Sequence, residues 1–354
     1  MQQIQGKRQV RHVNIPIFVP HLGCPHDCAF CNQKEITAVQ DAPTAAQVRQ
    51  TIEESLATVP PGAEVQVAFF GGSFTGIALE LQRELLAAVQ PYLRSGRVKS
   101  IRLSTRPDYI DQPRLDLLRA YGVQAIELGV QSMNDRVLQQ NRRGHTAQQV
   151  REASRLIRGG GFSLGLQMMV GLDGATIQDE EETAEELIRL RPDTVRIYPT
   201  IVLPGTELMR RYQQGSYQPM ALEPCVALCA RLVERFVQHH IAVIRLGLQA
   251  TETICETGAL IGPYHSSFGE LVYIRQMRDK IEMLVKSVPG ETAWLRVHPK
   301  DISRAVGNRR ATVRYCKERY GVELKFVQDP FQPRGQVQML PVEQSEEKLE
   351  NKGK

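Results

Sequence analysis

The sequence has 354 residues, 42% hydrophobic and 23% charged, which supplies a sizeable core and excludes both a coiled coil and a disordered acidic chain. It has no uninterrupted apolar run of about 18 residues, excluding a membrane-spanning helix, and its start, MQQIQGKRQVRH, lacks the apolar stretch of a signal peptide. The 44 basic and 39 acidic side chains leave a net charge of +5, which permits a nucleic-acid or phosphorylated partner without requiring one.

In chain order, the pattern predicts a strand at His12–Val19, a helix at Thr44–Val59 capped by Thr44, and a strand at Glu64–Phe70. A helix at Ala78–Leu93, a strand at Val98–Leu103 and a helix at Gln112–Tyr121 follow, the last ended by Gly122 in the left-handed region. Strands at Val123–Gly129, Phe162–Val170 and Thr194–Pro199 then alternate with helices at Thr146–Arg158 and Thr176–Leu190. This alternation predicts an α/β fold, a partial or complete parallel βα barrel rather than a doubly wound sheet.

A helix at Leu222–His239 precedes a strand at Ile241–Leu248, in which Ile241, Val243 and Leu246 are core candidates and Arg245 requires a partner. Gly and Pro turn material spans Gly258–Tyr264, and Phe268–Val285 reads as helix. A smaller unit follows: strand Trp294–Val297, helices Lys300–Val306 and Arg309–Tyr320, strand Val322–Val327, with Trp294 in its core. The expected division is a barrel core over 1–250, a connection packing on the barrel over 251–288, a basic module over 289–340 and a flexible tail over 341–354.

Seven cysteines are unevenly spread, and GCPHDCAFCNQ gathers Cys24, Cys28 and Cys31 directly after the first strand. Reduced cytoplasmic thiols are expected rather than a disulfide framework. Three thiolates on one loop can converge on a metal, and soft sulfur favours iron–sulfur clusters, zinc or copper. Structural zinc would need a fourth ligand, with His21 and His26 in range; a four-iron cluster held by three Cys leaves one iron open. Cys225 and Cys229 read as packing residues on one helical face, and Glu180–Glu182 as acids favouring a helix start.

CPHDCAFC resembles the CxxxCxxC loop of the radical S-adenosylmethionine (SAM) superfamily. The resemblance implies a [4Fe–4S] cluster on Cys24, Cys28 and Cys31, reductive cleavage of SAM, hydrogen abstraction, and an external electron donor such as flavodoxin or ferredoxin. It makes VAFFGGSFTG similar to the family's SAM-facing turn, with Gly71 and Gly72 permitting close backbone approach and Ser73 replacing Glu. Ser104, Gln131, Arg143, Gln167 and Met169 are the further cofactor-binding candidates, and Arg106, Tyr198 and Arg245 are candidates for the substrate; Ser104, Arg106, Gln131 and Tyr198 stand at predicted strand ends, where barrel enzymes collect their chemistry. Arg143 has the forked donors that suit a carboxylate or phosphate.

STRPDYI, IELGVQSMNDRVL, RRGHTAQQVREASRLI, GLQMMVGLDG and VRIYPTIVLPGTEL together resemble the catalytic region of the Elongator subunit 3 family, as does the later PYHSSFGELV. That family modifies the wobble uridine of transfer RNA, which implies a transfer RNA or other RNA substrate. The residues after Val272 do not match its full acetyltransferase domain, so the acetyl-CoA reaction is not carried over. Glu291–Arg334 has a local charge of +5, and its order resembles part of a KH-type RNA-binding module, although Arg310 stands where a GxxG turn has its last Gly. Arg309 and Arg310 are its candidate RNA contacts. The competing readings are a radical SAM enzyme acting on a small metabolite and a nonenzymatic RNA-binding protein with structural zinc.

Overall fold

Alternating side chains build the main sheet. The computed structural model describes residues 12–19, 24, 28–32, 42–248 and 260–341. Strands β1 (His12–Val19), β2 (Glu64–Gly71), β3 (Ser100–Thr105), β4 (Val123–Gln131), β5 (Ser163–Val170), β6 (Thr194–Pro199) and β7 (Ala242–Leu246) pair in parallel, in sequence order. Between them run α1 (Ala45–Thr58), α2 (Leu79–Arg94), α3 (Gln112–Ala120), α4 (Asp135–Gln140), α5 (Ala147–Gly159), α6 (Ile177–Arg189), α7 (Glu207–Gln213) and α8 (Leu222–Gln238). Thr44, Thr146 and Thr176 each close a capping box at a helix start, and Gly122 adopts φ +77°, as its place after α3 requires.

On one face of the sheet Val67, Phe69, Ile101, Leu103, Ile126, Leu128, Leu164, Leu166, Val195 and Ile197 are buried. The opposite face carries Phe70, Arg102, Glu127, Gln167 and Arg196 at the alternate positions. The Arg196 guanidinium of β6 lies 5.1 Å from the ring centroid of Phe70 on β2. Four strand spacings would separate these strands by roughly 19 Å in a flat sheet. The sheet is therefore curled into a half-barrel with this second face concave.

The chain divides into two compact units, 1–225 with 235–266, and 226–234 with 267–354. In the second, β8 (Thr292–Val297) pairs parallel with β9 (Glu323–Gln328) and antiparallel with β10 (Val337–Met339). Helix α9 (Phe268–Val285), which the sequence reading placed in a connection, supplies Met277, Ile281 and Val285 to this unit's core. They pack with Ala293, Leu295, Val297, Leu324, Ala305 of α10 (Ile302–Val306) and Cys316 of α11 (Ala311–Tyr320).

Two expectations fail here. Trp294 falls on the opposite face from that core by strand parity, half-buried with the Lys325 ammonium 5.2 Å from its ring. The helix expected from Arg309 begins at Ala311, because Arg309 and Arg310 are left-handed (φ 47° and 63°). Gly307 forces this tight turn: a β-carbon on it would meet Thr312 Oγ1 at 2.7 Å.

Candidate functional site

The thiol loop leaves the C-terminal end of β1. Cys24, Cys28 and Cys31 form no disulfide, with Cys28 buried and the other two half-buried. The loop's backbone is tied down where it is described, as buried peptide groups require. Ala29 N–H donates to Asn141 C=O at 3.0 Å, Leu208 N–H donates to Ala29 C=O at 2.7 Å, and Cys31 N–H donates to Cys28 C=O at 3.0 Å. Phe30 packs with Val202, Leu208 and Tyr217. Residues 20–23 and 25–27 lie outside the described set, and with them His21 and His26. Among the described residues no three ligating side chains form a ready-made metal cage.

The glycine turn stands against the same strand end. Gly71 has φ +104°, and a β-carbon there would lie 2.6 Å from Val19 C=O, so only glycine fits. Gly72 N–H donates to that carbonyl at 2.7 Å. Phe74, fully buried with its ring 4.8 Å from that of Phe69, pins the turn from below. Ser73 uses its hydroxyl structurally, bonding Thr105 Oγ1 at 2.8 Å and accepting Arg106 N–H at 3.2 Å. Its own N–H faces Cys24. Burial pushes the Cys24 thiol up; the Ser73 N–H and the guanidiniums of Arg106 and Arg143 act against that rise.

Two buried arginines complete this end. Arg106 forks onto Asp108 at 2.9 Å and donates to Arg143 C=O at 2.6 Å. Arg143 donates to Cys28 Sγ at 3.3 Å and to Gly129 C=O at 2.6 Å. The sequence assigned Arg143 to a carboxylate or phosphate; here its fork reaches a cysteine sulfur. Gln131, itself at φ +69°, accepts from the Gln167 amide at 3.3 Å. Met169 pairs in register with Tyr198, while Met168 is fully buried on the other face, so parity separates the two methionines. Ser104 is half-buried on β3, and Arg245 stands beside Arg196 in the β6–β7 register.

Sequence reading missed the concave face's charge cluster. Glu127, nearly buried, pairs with Arg102 at 3.0 Å and Arg196 at 2.6 Å. It reaches β6 over Gly165, where a β-carbon would sit 2.7 Å from Glu127 Cγ. Arg196 also donates to the Tyr198 hydroxyl at 3.4 Å. The signal was an acid inside the apolar run of β4, at the same parity as arginines on β3 and β6.

Glu180, read from the sequence as one of three acids at a helix start, stands in that first turn and is buried. Its carboxylate accepts Gly171 N–H at the exit of β5, and burial pushes its carboxyl up to about 7. Tyr217 donates to Gly171 C=O at 2.7 Å, and the Asn141 amide donates to Asp173 C=O at 2.9 Å, so the β5 exit and the thiol loop share Asn141. A carboxyl raised above its ordinary 4.5 binds its proton more tightly in the folded chain. The stability it contributes is complete below 4.5 and is lost as the pH rises through about 7. Between about pH 5 and pH 8, denaturant unfolding of the metal-free protein is expected to show a loss of about 3 kcal/mol that Glu180→Gln abolishes. Parallel pH profiles of the two proteins would show that the carboxyl titrates normally.

The model of the radical SAM superfamily matches residues 18–187, and that of the Radical_SAM C-terminal domain matches 192–279. A tRNA uridine(34) acetyltransferase of Methanocaldococcus infernus is 23% identical over 76% of this chain and 58% of its own length. The human Elongator complex protein 3 is 33% identical over 38% of this chain and 25% of its own length. This chain therefore spans little more than half of the longest-matching curated relatives. An archaeal Elp3 of Methanocaldococcus infernus, solved with an N-terminal deletion, superposes with a TM-score of 0.61 at 21% identity, covering 79% of this chain and 64% of that one. With its parallel half-barrel and both matched domains, the chain belongs to the radical SAM superfamily of enzymes and is homologous to Elongator protein 3 and the tRNA uridine acetyltransferases.

Proposed function

We propose that this enzyme modifies an RNA nucleobase, in transfer RNA by preference, with Cys24, Cys28 and Cys31 as the ligands of a [4Fe–4S] cluster. One observation carries the cluster reading: a loop with three thiols in no disulfide leaves the strand end that also bears the Gly71–Gly72 turn and two buried guanidiniums, one of them on a cysteine sulfur. The donor set fits, since sulfur ligands suit iron and the nearby cations offset the negative charge of such a centre. The cluster and SAM, once reduced by an external one-electron donor such as flavodoxin or ferredoxin, supply hydrogen abstraction.

The chain's own residues then bind and orient. Gly71 and Gly72 let backbone approach the methionine part of SAM, Ser73 keeps that turn in register with β3, and the Gln131–Gln167 amide pair offers hydrogen bonds to ribose or substrate. Substrate lies over the concave face, where Arg196 and Tyr198 present donors. The RNA reading draws support from relatives named as tRNA uridine(34) acetyltransferases. Its test is anaerobic reconstitution with SAM, reductant and RNA carrying deuterated bases. Deoxyadenosine that gains deuterium and forms faster with RNA supports it; formation indifferent to RNA keeps the radical chemistry and points to a small metabolite.

The small unit, KH-like in its order, is proposed to hold the RNA backbone through Arg309 and Arg310. Reversing both charges (Arg309→Glu, Arg310→Glu) is expected to weaken RNA binding and to lower the salt slope by about 0.7 per lost phosphate contact on a single strand. Titration of labelled RNA at several salt concentrations reads both quantities, and an unchanged slope removes this contact site.

A further inference from the structure

We propose that Arg143 sets the reduction potential of the iron–sulfur centre, an inference that rests on the thiol loop holding one. Arg143 is 7% exposed. Its two terminal nitrogens bond Cys28 Sγ and Gly129 C=O, and its Nε is buried with no hydrogen-bond partner. Arg106 has Asp108 beside it, but among the described residues no carboxylate lies within ion-pair distance of Arg143. A buried guanidinium is strongly unfavourable unless negative charge stands next to it. Among the described residues the neighbour able to carry that charge is the Cys28 sulfur.

The backbone is shaped to put it there. In NRRG, Arg142 is left-handed (φ 53°) and turns outward to Glu207, while Arg143 turns inward. Gly129 clears the space: a β-carbon on it would come within 3.1 Å of the Arg143 Nη2. Adding one electron to a cluster adds one negative charge. A desolvated cation and an N–H···S hydrogen bond favour the reduced form and raise its potential.

The full chain, with Arg143→Gln and Arg143→Lys, is reconstituted anaerobically and titrated with dithionite while the reduced cluster is followed by electron paramagnetic resonance. Arg143→Gln is expected to hold iron and sulfide normally, yet to be about tenfold less reduced at the wild-type midpoint, a shift of about 59 mV for one electron. Arg143→Lys keeps the charge, loses the fork and falls between. Equal midpoints in all proteins that carry the cluster overturn the proposal. A wild-type chain that takes up no iron and sulfide defeats the cluster reading itself.

In the second unit, independently, the geometry points to Phe331 as a base-stacking platform, an inference that rests on RNA as partner. Single exposed apolar side chains are ordinary, and Phe331 is 93% exposed; its loop is what sets it apart. Phe331 N–H donates to the Asp329 carboxylate at 2.9 Å, Asp329 N–H donates to Val297 C=O at 2.9 Å, and Arg334 forks onto the fully buried Asp301. The ring is thus presented without further ordering of its loop. β8 and β9 are parallel, and α11 runs back to the start of β9, so Arg309 and Arg310 lie at the sheet end that this loop occupies. A ring at the same sheet end as paired guanidiniums suits single-stranded RNA, base on ring and phosphate on arginine.

Phe331→Ala is expected to weaken binding of a single-stranded oligoadenylate about tenfold with the salt slope unchanged. Phe331→Trp restores it, and duplex RNA binds all three proteins alike. Wild-type binding by Phe331→Ala, while Arg309→Glu with Arg310→Glu binds weakly, overturns the platform alone. Unchanged binding in both sets removes Arg309 and Arg310 as contacts as well, and a wild-type chain that binds no RNA overturns the RNA reading itself.

Discussion

Gly71→Ala is expected to lower the stability of the metal-free protein by about 3 kcal/mol. Two costs add. The backbone at φ +104° disfavours any side chain, and the new β-carbon would press on Val19 C=O at 2.6 Å, where the obstacle is main chain and cannot rotate away. Relief requires β1 and β2 to part, which breaks the bond from Gly72 N–H to the same carbonyl. Gly62→Ala separates the terms, because Gly62 shares the positive φ (+79°) but has nothing within 4 Å of its would-be β-carbon. It should cost only about 1 kcal/mol. Denaturant unfolding of the two variants measures the difference, and equal losses would mean that strain alone explains Gly71. The variant should also take up less iron, since Val19 leads into the thiol loop.

Cys28→Ala is expected to reduce reconstituted iron and acid-labile sulfide to background and to abolish deoxyadenosine formation, at a stability cost of about 1 kcal/mol. Cys316→Ala should give the reverse pattern. Cys316 is buried in the core of the second unit, where burial pushes its thiol up to about 11. Its loss should destabilise by roughly 1–2 kcal/mol and leave iron content unchanged. Metal analysis of both variants decides the matter. Zinc retained in place of iron by the wild-type chain would favour the structural-zinc reading.

The main sheet was legible because each strand is bounded by turn residues and at least one helix between successive strands is long enough to show its own period. Short elements escaped: α4 and α7 span too few turns to show a stripe, and β10 holds three residues after PRGQ. The grouping of Cys24, Cys28 and Cys31 on one loop was legible from spacing alone, and the close backbone turn at Gly71 from its place after a strand. The direction of a long side chain was not. Arg143 could have served any anion until the left-handed Arg142 turned it toward Cys28, and the Glu127 cluster exists only because three strands curl toward one another. Trp294 was misplaced by composition, since one step of strand parity outweighs its apolar character.

The absent side chain at Gly165 has a consequence for the electrostatics of the concave face. It is the gap through which one acid on β4 reaches an arginine two strands away. A methyl there would push the acid back and leave the Arg102 and Arg196 charges to repel each other across the floor. The field felt by anything lying over that surface is thus governed by a position that contributes no functional group of its own.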